Sequence, residues 1–216
     1  MRMRLFEKWM MRSPVRRWML RRVEVPRVLD GVDLPAGARV LEIGCGDGYG
    51  ALLLRRRAPA AEVVALDLDP AMLRHARRML ARPPRRLRGA GARPVALVCG
   101  DATALAFPDA SFDAVVLFGM LHHVTRWREA VREVYRVLAP GGVFALEEAL
   151  LADRPLWLNR WWGHVPFEAA DLRQTLTSVG LRVERFEEGT LLPMCYVRAV
   201  KAEGGVSRPF HPAGGR

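Results

Sequence analysis

The sequence predicts an α/β fold in which a parallel sheet carries helices on both faces. Short apolar runs alternate with stretches of helical period along most of the chain. The first of these runs passes directly into a glycine-rich turn, RVLEIGCGDGYG at residues 39–50. At 216 residues and 50% hydrophobic, the chain can bury one sizeable core, so a single domain with terminal additions is expected.

Taken in order, VLEI (40–43), VVALD (63–67), VALVC (95–99), AVVLF (114–118) and VFALE (143–147) read as buried strands. Asp69-Pro70 is an N-cap followed by proline at the first helical position, and Met72, Ala76, Met79 and Leu80 then share a face. Trp127, Ala130, Val131, Val134, Val137 and Leu138 repeat at helical spacing up to Ala139-Pro140-Gly141-Gly142, which reads as a stop and a turn. Residues 166–179 suit a helix ended by Gly180. LRVERFE (181–187) and MCYVRAVKA (194–202) read as strands close enough to pair antiparallel. The expected division is a helical cap over 1–34, a main domain over 35–202 and a disordered tail over 203–216.

Composition removes several classes. No run of eighteen apolar residues exists, and arginines interrupt the basic N-terminus, so neither a membrane span nor a signal peptide is expected. Cys45, Cys99 and Cys195 are odd in number and far apart, which fits a reducing, cytoplasmic setting and indicates neither a disulfide framework nor a metal constellation. The net charge is +11, yet only Lys8 and Lys201 are lysines, a skew that speaks of genome composition more than of a partner. Residues 70–100 hold eight arginines and no acidic residue, but also no aromatic platform on which bases could stack, so a solvated basic face is preferred to a nucleic-acid patch.

The turn carries glycine at positions 44, 46, 48 and 50, which lets backbone approach a ligand closely at the carboxyl end of the sheet. A dinucleotide fingerprint would need glycine where Tyr49 stands. Glu42 and Asp47, with no base in the loop, argue against a polyphosphate and for a ligand with positive charge or hydroxyls.

LEIGCGDG (41–48) resembles motif I of the class I S-adenosylmethionine-dependent methyltransferases. ALDLDPAML (65–73), CGDATALAFPDASFDAVV (99–116), LHHV (121–124) and RVLAPGGVFAL (136–146) follow in the family's order. The resemblance covers roughly residues 38–149. It implies a Rossmann-like, doubly wound seven-stranded sheet of order 3-2-1-4-5-7-6 with strand 7 antiparallel, and S-adenosylmethionine as cofactor.

By the same resemblance, Gly44, Cys45, Gly46, Asp47 and Gly48 form the loop under the cofactor, with Glu42 ordering it from beneath. Asp67, nineteen residues past Gly48, accepts from the ribose hydroxyls. Leu68 and Met72 flank the adenine, Asp101 accepts from its amine, and the Ala102 N–H meets the ring. Phe118 offers its carbonyl to the methionine ammonium, and His123 stands beside the cofactor. The alternatives are structural: a tight turn for the glycines, and local caps for Asp67 and Asp101.

His122 and His123 are candidates for proton transfer, with His164 behind them, and one of the pair could equally be packed under the fourth strand. Glu147 and Glu148 end the fifth strand, as substrate contacts or as solvated carboxylates. Outside the cofactor core, Leu5, Phe6, Trp9 and Met10 share a helical stripe, and Ser13-Pro14 restarts a helix bearing Trp18. LWLNRWWGHVPF (156–167) adds Trp157, Arg160, Trp161 and Trp162. These aromatics point to a small apolar or aromatic acceptor, or simply pack on the sheet.

The reading is therefore a small-molecule methyltransferase, monomeric or homodimeric, without a nucleic-acid partner. Grazing contact of the N-terminal helices with a membrane is a variant. An RNA or protein methyltransferase and a catalytically silent cofactor-binding protein are the alternatives.

Overall fold

A computed structural model describes residues 13–88, 93–152, 155, 157, 159, 164–189 and 193–203 of the chain. The expected stripe at residues 5–10, including Trp9, lies outside the described residues, as do Arg160, Trp161, Trp162 and the tail beyond Glu203.

A seven-stranded sheet runs in the order β3-β2-β1-β4-β5-β7-β6. Its strands are β1 (Arg39–Ile43), β2 (Glu62–Asp67), β3 (Ala96–Cys99), β4 (Phe112–Phe118), β5 (Leu138–Ala149), β6 (Leu181–Glu188) and β7 (Met194–Lys201). The first five pair in parallel, and β7 pairs antiparallel with both β5 and β6. Order and directions are those the family resemblance implies.

The helices cover both faces because the central strands alternate. In β1 and β4, Leu41, Ile43, Val115 and Leu117 point into one apolar layer, and Val40, Ala114, Val116 and Phe118 into the other. The first layer receives α5 (Trp127–Val137) and α6 (Ala169–Ser178). The second receives α3 (Tyr49–Arg57) and α4 (Pro70–Ala81), with the N-terminal segment beside them. That segment is continuous: α1 (Pro14–Met19), a π-helical stretch (Leu20–Glu24) and α2 (Val25–Val28). Ser13 caps it, accepting from the Arg16 N–H. Leu20, Val25, Val28 and Leu29 are buried in the second layer, so the lower part of the expected cap shares the sheet's core.

Two boundaries differ from the sequence reading, each for a local reason. The helix expected from 166 begins at Ala169, because Glu168 and Asp171 exchange side-chain and backbone hydrogen bonds in a capping box. The expected turn at 139–142 is absorbed into β5. Leu138 already pairs with Phe112, and the register slips before Val143 meets Ala114, so Ala139–Gly142 is an irregularity within the strand.

Candidate active site

The carboxyl ends of β1, β2 and β4 meet where the chain order in the sheet reverses, the place at which open α/β sheets form a ligand crevice. A cleft of about 270 Å³ lies there.

Its floor is the turn after β1. The N–H groups of Gly44 and Cys45 both donate to the Leu66 carbonyl, at 2.8 and 2.9 Å, which folds the loop back over β2. Gly44 sits at φ +76°, and a Cβ there would lie 2.8 Å from the Met120 Cβ. Gly48 starts α3 at φ +80°, where a Cβ would strike Ala76 on α4 at 2.8 Å. Both positions demand glycine, and the pitch of the motif follows from them.

Asp67 ends β2 and ties this floor together. One carboxylate oxygen accepts from the Gly46 N–H and the other from the Asp69 N–H, each at 2.8 Å. The same carboxylate lines the cleft. Asp69 caps α4 as expected, accepting from the Ala71 N–H. Asp101 stands exposed at the rim; one oxygen accepts from both the backbone and the hydroxyl of Thr103. Those bonds, the backbone one foremost, hold its carboxyl below the usual range. Leu68, Met72, Ala102 and Phe118 line the same cleft, and Met120, His123 and Val124 wall its far end.

Glu42 and the loop residues Cys45, Asp47 and Gly48 do not line the cleft wall. Glu42 is buried under the turn, and burial, reinforced by Asp47 and Asp67, drives its carboxyl well above the ordinary value. Burial likewise pushes the Cys45 thiol far up, which leaves it inert. Asp47 accepts from the Tyr49 N–H and is salt-bridged by Arg17 at 2.6 Å.

The sequence offers Trp18 of α1 to the site, but it is Arg16 and Arg17 of that helix that reach the motif. Arg16 pairs with buried Glu24, its guanidinium lies 3.5 Å from the Phe118 carbonyl, and its charge acts on Glu42 and Glu147. The α1 helix thus places two arginines against the motif, one on the loop and one at the end of β4.

The strand-end glutamates are not solvated. Glu147 is buried beneath Gly119, and burial and Glu24 raise its carboxyl well above the ordinary value. Glu148 is wholly buried. Its two oxygens take the N–H groups of Leu121 and Ala149, and His122 is bonded to it through Nδ1. His122 is therefore the packed histidine of the pair, and His123 the one that faces the cleft. Burial and the two neighbouring imidazoles push His123 down to about 3. His164 completes a cluster with ring centroids 4.1–4.9 Å apart, docked by the Val165 N–H donating to the His122 carbonyl at 2.7 Å. Trp18 and Trp157, expected at the substrate, are exposed and do not line the cleft.

The comparisons with known proteins point to methyltransferases. A family model described as a methyltransferase domain matches residues 41–146. The chain is 42% identical over 107 residues to a demethylmenaquinone methyltransferase of Thermus thermophilus, covering 50% of this chain and 45% of that one. It is 39% identical over 131 residues to a fatty-acid O-methyltransferase of Mycolicibacterium smegmatis, covering 56% and 44%. Among solved structures, the [4+2]-cyclase SpnF superposes with a TM-score of 0.70 at 21% identity, over 82% of this chain and 80% of that one, a likeness of fold alone. The chain carries a methyltransferase domain and resembles the class I S-adenosylmethionine-dependent methyltransferases. It spans about half the length of the curated relatives it matches.

The site suits the family's cofactor on its own chemistry. The floor is bare glycine backbone at Gly44 and Gly46, one carboxylate lies at the floor and another at the rim, and the walls between are apolar. A basic group already approaches the Phe118 carbonyl, which marks that oxygen as an acceptor for a cation.

Proposed function

We propose that this chain transfers a methyl group from S-adenosylmethionine to a small, apolar or aromatic acceptor. The observation that carries the reading is the cleft itself: Asp67 at its floor, Asp101 at its rim, and Leu68, Met72, Phe118 and Met120 between and beyond them. When bound, the cofactor supplies a strongly electrophilic methyl group on a sulfonium. The chain's part is to hold the two reactants in line and keep water out. Asp67 accepts from the ribose hydroxyls, Asp101 and the Ala102 N–H address the adenine edge, and the Phe118 carbonyl faces the ammonium. Met120 and Val124 supply an apolar wall on the acceptor side. Arg16 and Arg17 close α1 over the motif, which makes residues 13–33 a cap on the cofactor's amino-acid end.

The acceptor class is supported by the apolar wall and by the names of the relatives, which act on a demethylmenaquinone and on a fatty acid. A nucleic-acid acceptor finds little support: Arg93, one of the arginines of 70–100, is engaged with Glu62. Among the described residues, no helix is long and apolar enough to cross a membrane. A second reading is binding of the cofactor without methyl transfer, favoured by the likeness in fold to a protein named as a cyclase.

Calorimetry with S-adenosylmethionine, its demethylated product and NAD tests the cofactor: the first two are expected to bind, and preference for NAD would end the reading. Labelled methyl donor, offered with cell extract, tests the reaction. Counts are expected in the organic phase; counts in RNA or protein would move the acceptor class, and none in any fraction would favour the silent reading.

A further inference from the structure

The sequence offers His122, His123 and His164 as proton-transfer candidates, but that they meet in one cluster is not legible there, because 41 positions separate the second from the third. We propose that these three imidazoles form a binding site for a divalent transition-metal ion, zinc by preference, at the acceptor end of the cleft.

Each residue offers one ring nitrogen, and these nitrogens all lie within 4.8 Å of one another. With zinc–nitrogen bonds of about 2.1 Å and tetrahedral angles, paired ligand nitrogens stand about 3.4 Å apart. Closing the set therefore takes an imidazole movement of no more than about 1.4 Å, within reach of χ rotation. The donors are of the kind zinc selects, all nitrogen and borderline in softness.

The surroundings are those of a metal site rather than a stack of aromatic rings. Glu148 bonds His122 through Nδ1 from a fully buried position, which fixes the ring and presents Nε2 as the remaining ligand atom. A carboxylate behind a histidine is the usual outer partner of a metal-bound imidazole. The same Glu148 takes the Leu121 N–H, so it also fixes the turn that carries His122 and His123. His164 is brought in by a separate segment, held by the hydrogen bonds of the Val165 N–H to His122 and of the His164 N–H to the Asn159 carbonyl. Three protein ligands leave a fourth position open, as in zinc sites that bind water or substrate. His123 is the member that lines the cleft, so the open position faces the side from which the acceptor enters. An oxygen of the acceptor would take it; this last step rests on the function proposed above, whereas the binding of the ion does not.

The test uses untagged full-length protein stripped with a chelator, with zinc titrated by calorimetry and cobalt followed by visible absorption. One ion per chain is expected, with the intense visible bands of four-coordinate cobalt. His164→Ala and His123→Ala should each weaken binding at least about 100-fold, and Glu148→Gln about 10- to 100-fold with the stoichiometry kept. His75→Ala, on α4 and outside the cluster, should leave it unchanged. Absence of zinc binding by the wild-type chain, or binding that survives both histidine variants, overturns the proposal whether or not a variant folds. The demethylated cofactor is titrated in parallel: its binding without zinc binding refutes the metal site alone. Zinc binding without it upholds the metal site and refutes the proposed function.

Discussion

At the scale of single residues, Asp67 joins the loop geometry to the proposed ligand chemistry. Its carboxylate holds the Gly46 and Asp69 N–H groups and lines the cleft. Asp67→Ala leaves those donors and the ligand without an acceptor, and should weaken binding of the demethylated cofactor by about 1–3 kcal/mol in calorimetry. Unchanged affinity would remove Asp67 from the site. Gly44 is held by backbone conformation and by space at once. Gly44→Ala forces a Cβ into the left-handed region and against Met120, and should lower unfolding stability by about 1–2 kcal/mol in urea titration. Both residues were legible in advance, since a strand followed by spaced glycines and a later carboxylate is a local pattern. The role of Glu148 was not. A glutamate at the end of an apolar strand reads as solvated until the histidine packed on it is known.

At the scale of elements, α5 illustrates how periodicity fixes a helix and its buried face together. Trp127, Ala130, Val131, Val134 and Val137 are all buried, as their spacing predicts. The spacing did not reveal the partner: the Trp127 ring lies against Phe167, with centroids 4.6 Å apart, just before α6. Trp127→Ala opens a large void between α5 and that segment and should cost about 3–5 kcal/mol in equilibrium unfolding. A loss below about 1 kcal/mol would show that the site collapses around the gap. The boundary between α5 and β5 was misjudged because Pro140-Gly141-Gly142 is a turn signal in isolation. Inside the sheet, Leu138 before them and Val143 after them both pair with β4, so those residues become an irregularity within one strand.

At the scale of the whole molecule, buried carboxylates shape the response to pH. Glu147 and Glu42 lie beneath the ends of β4 and β1, and burial raises both well above their ordinary value of 4.5. A folded state that holds its proton more tightly than the unfolded chain is favoured most below that ordinary value. The advantage is lost as pH climbs toward the raised folded value. Glu147→Gln keeps a neutral side chain throughout, so the fall in unfolding stability from about pH 5 to about pH 8 should become shallower than in the wild type. An identical slope in the two proteins would show that folded Glu147 is already ionised across this range, as in the unfolded chain.

The sequence alone determined the strand and helix order, the glycine loop, Asp67, the cap at Asp69 and the buried stripe of α5. Each of these is written in short-range spacing, which backbone sterics and hydrophobic period translate directly into local structure. The tertiary structure alone decided that Arg16 reaches the Phe118 carbonyl 102 residues away, that Glu148 stands behind His122, and that His164 joins His123. Those contacts depend on which strand lies beside which and in what register. That is settled by burial across the entire sheet, and no local run of residues encodes it.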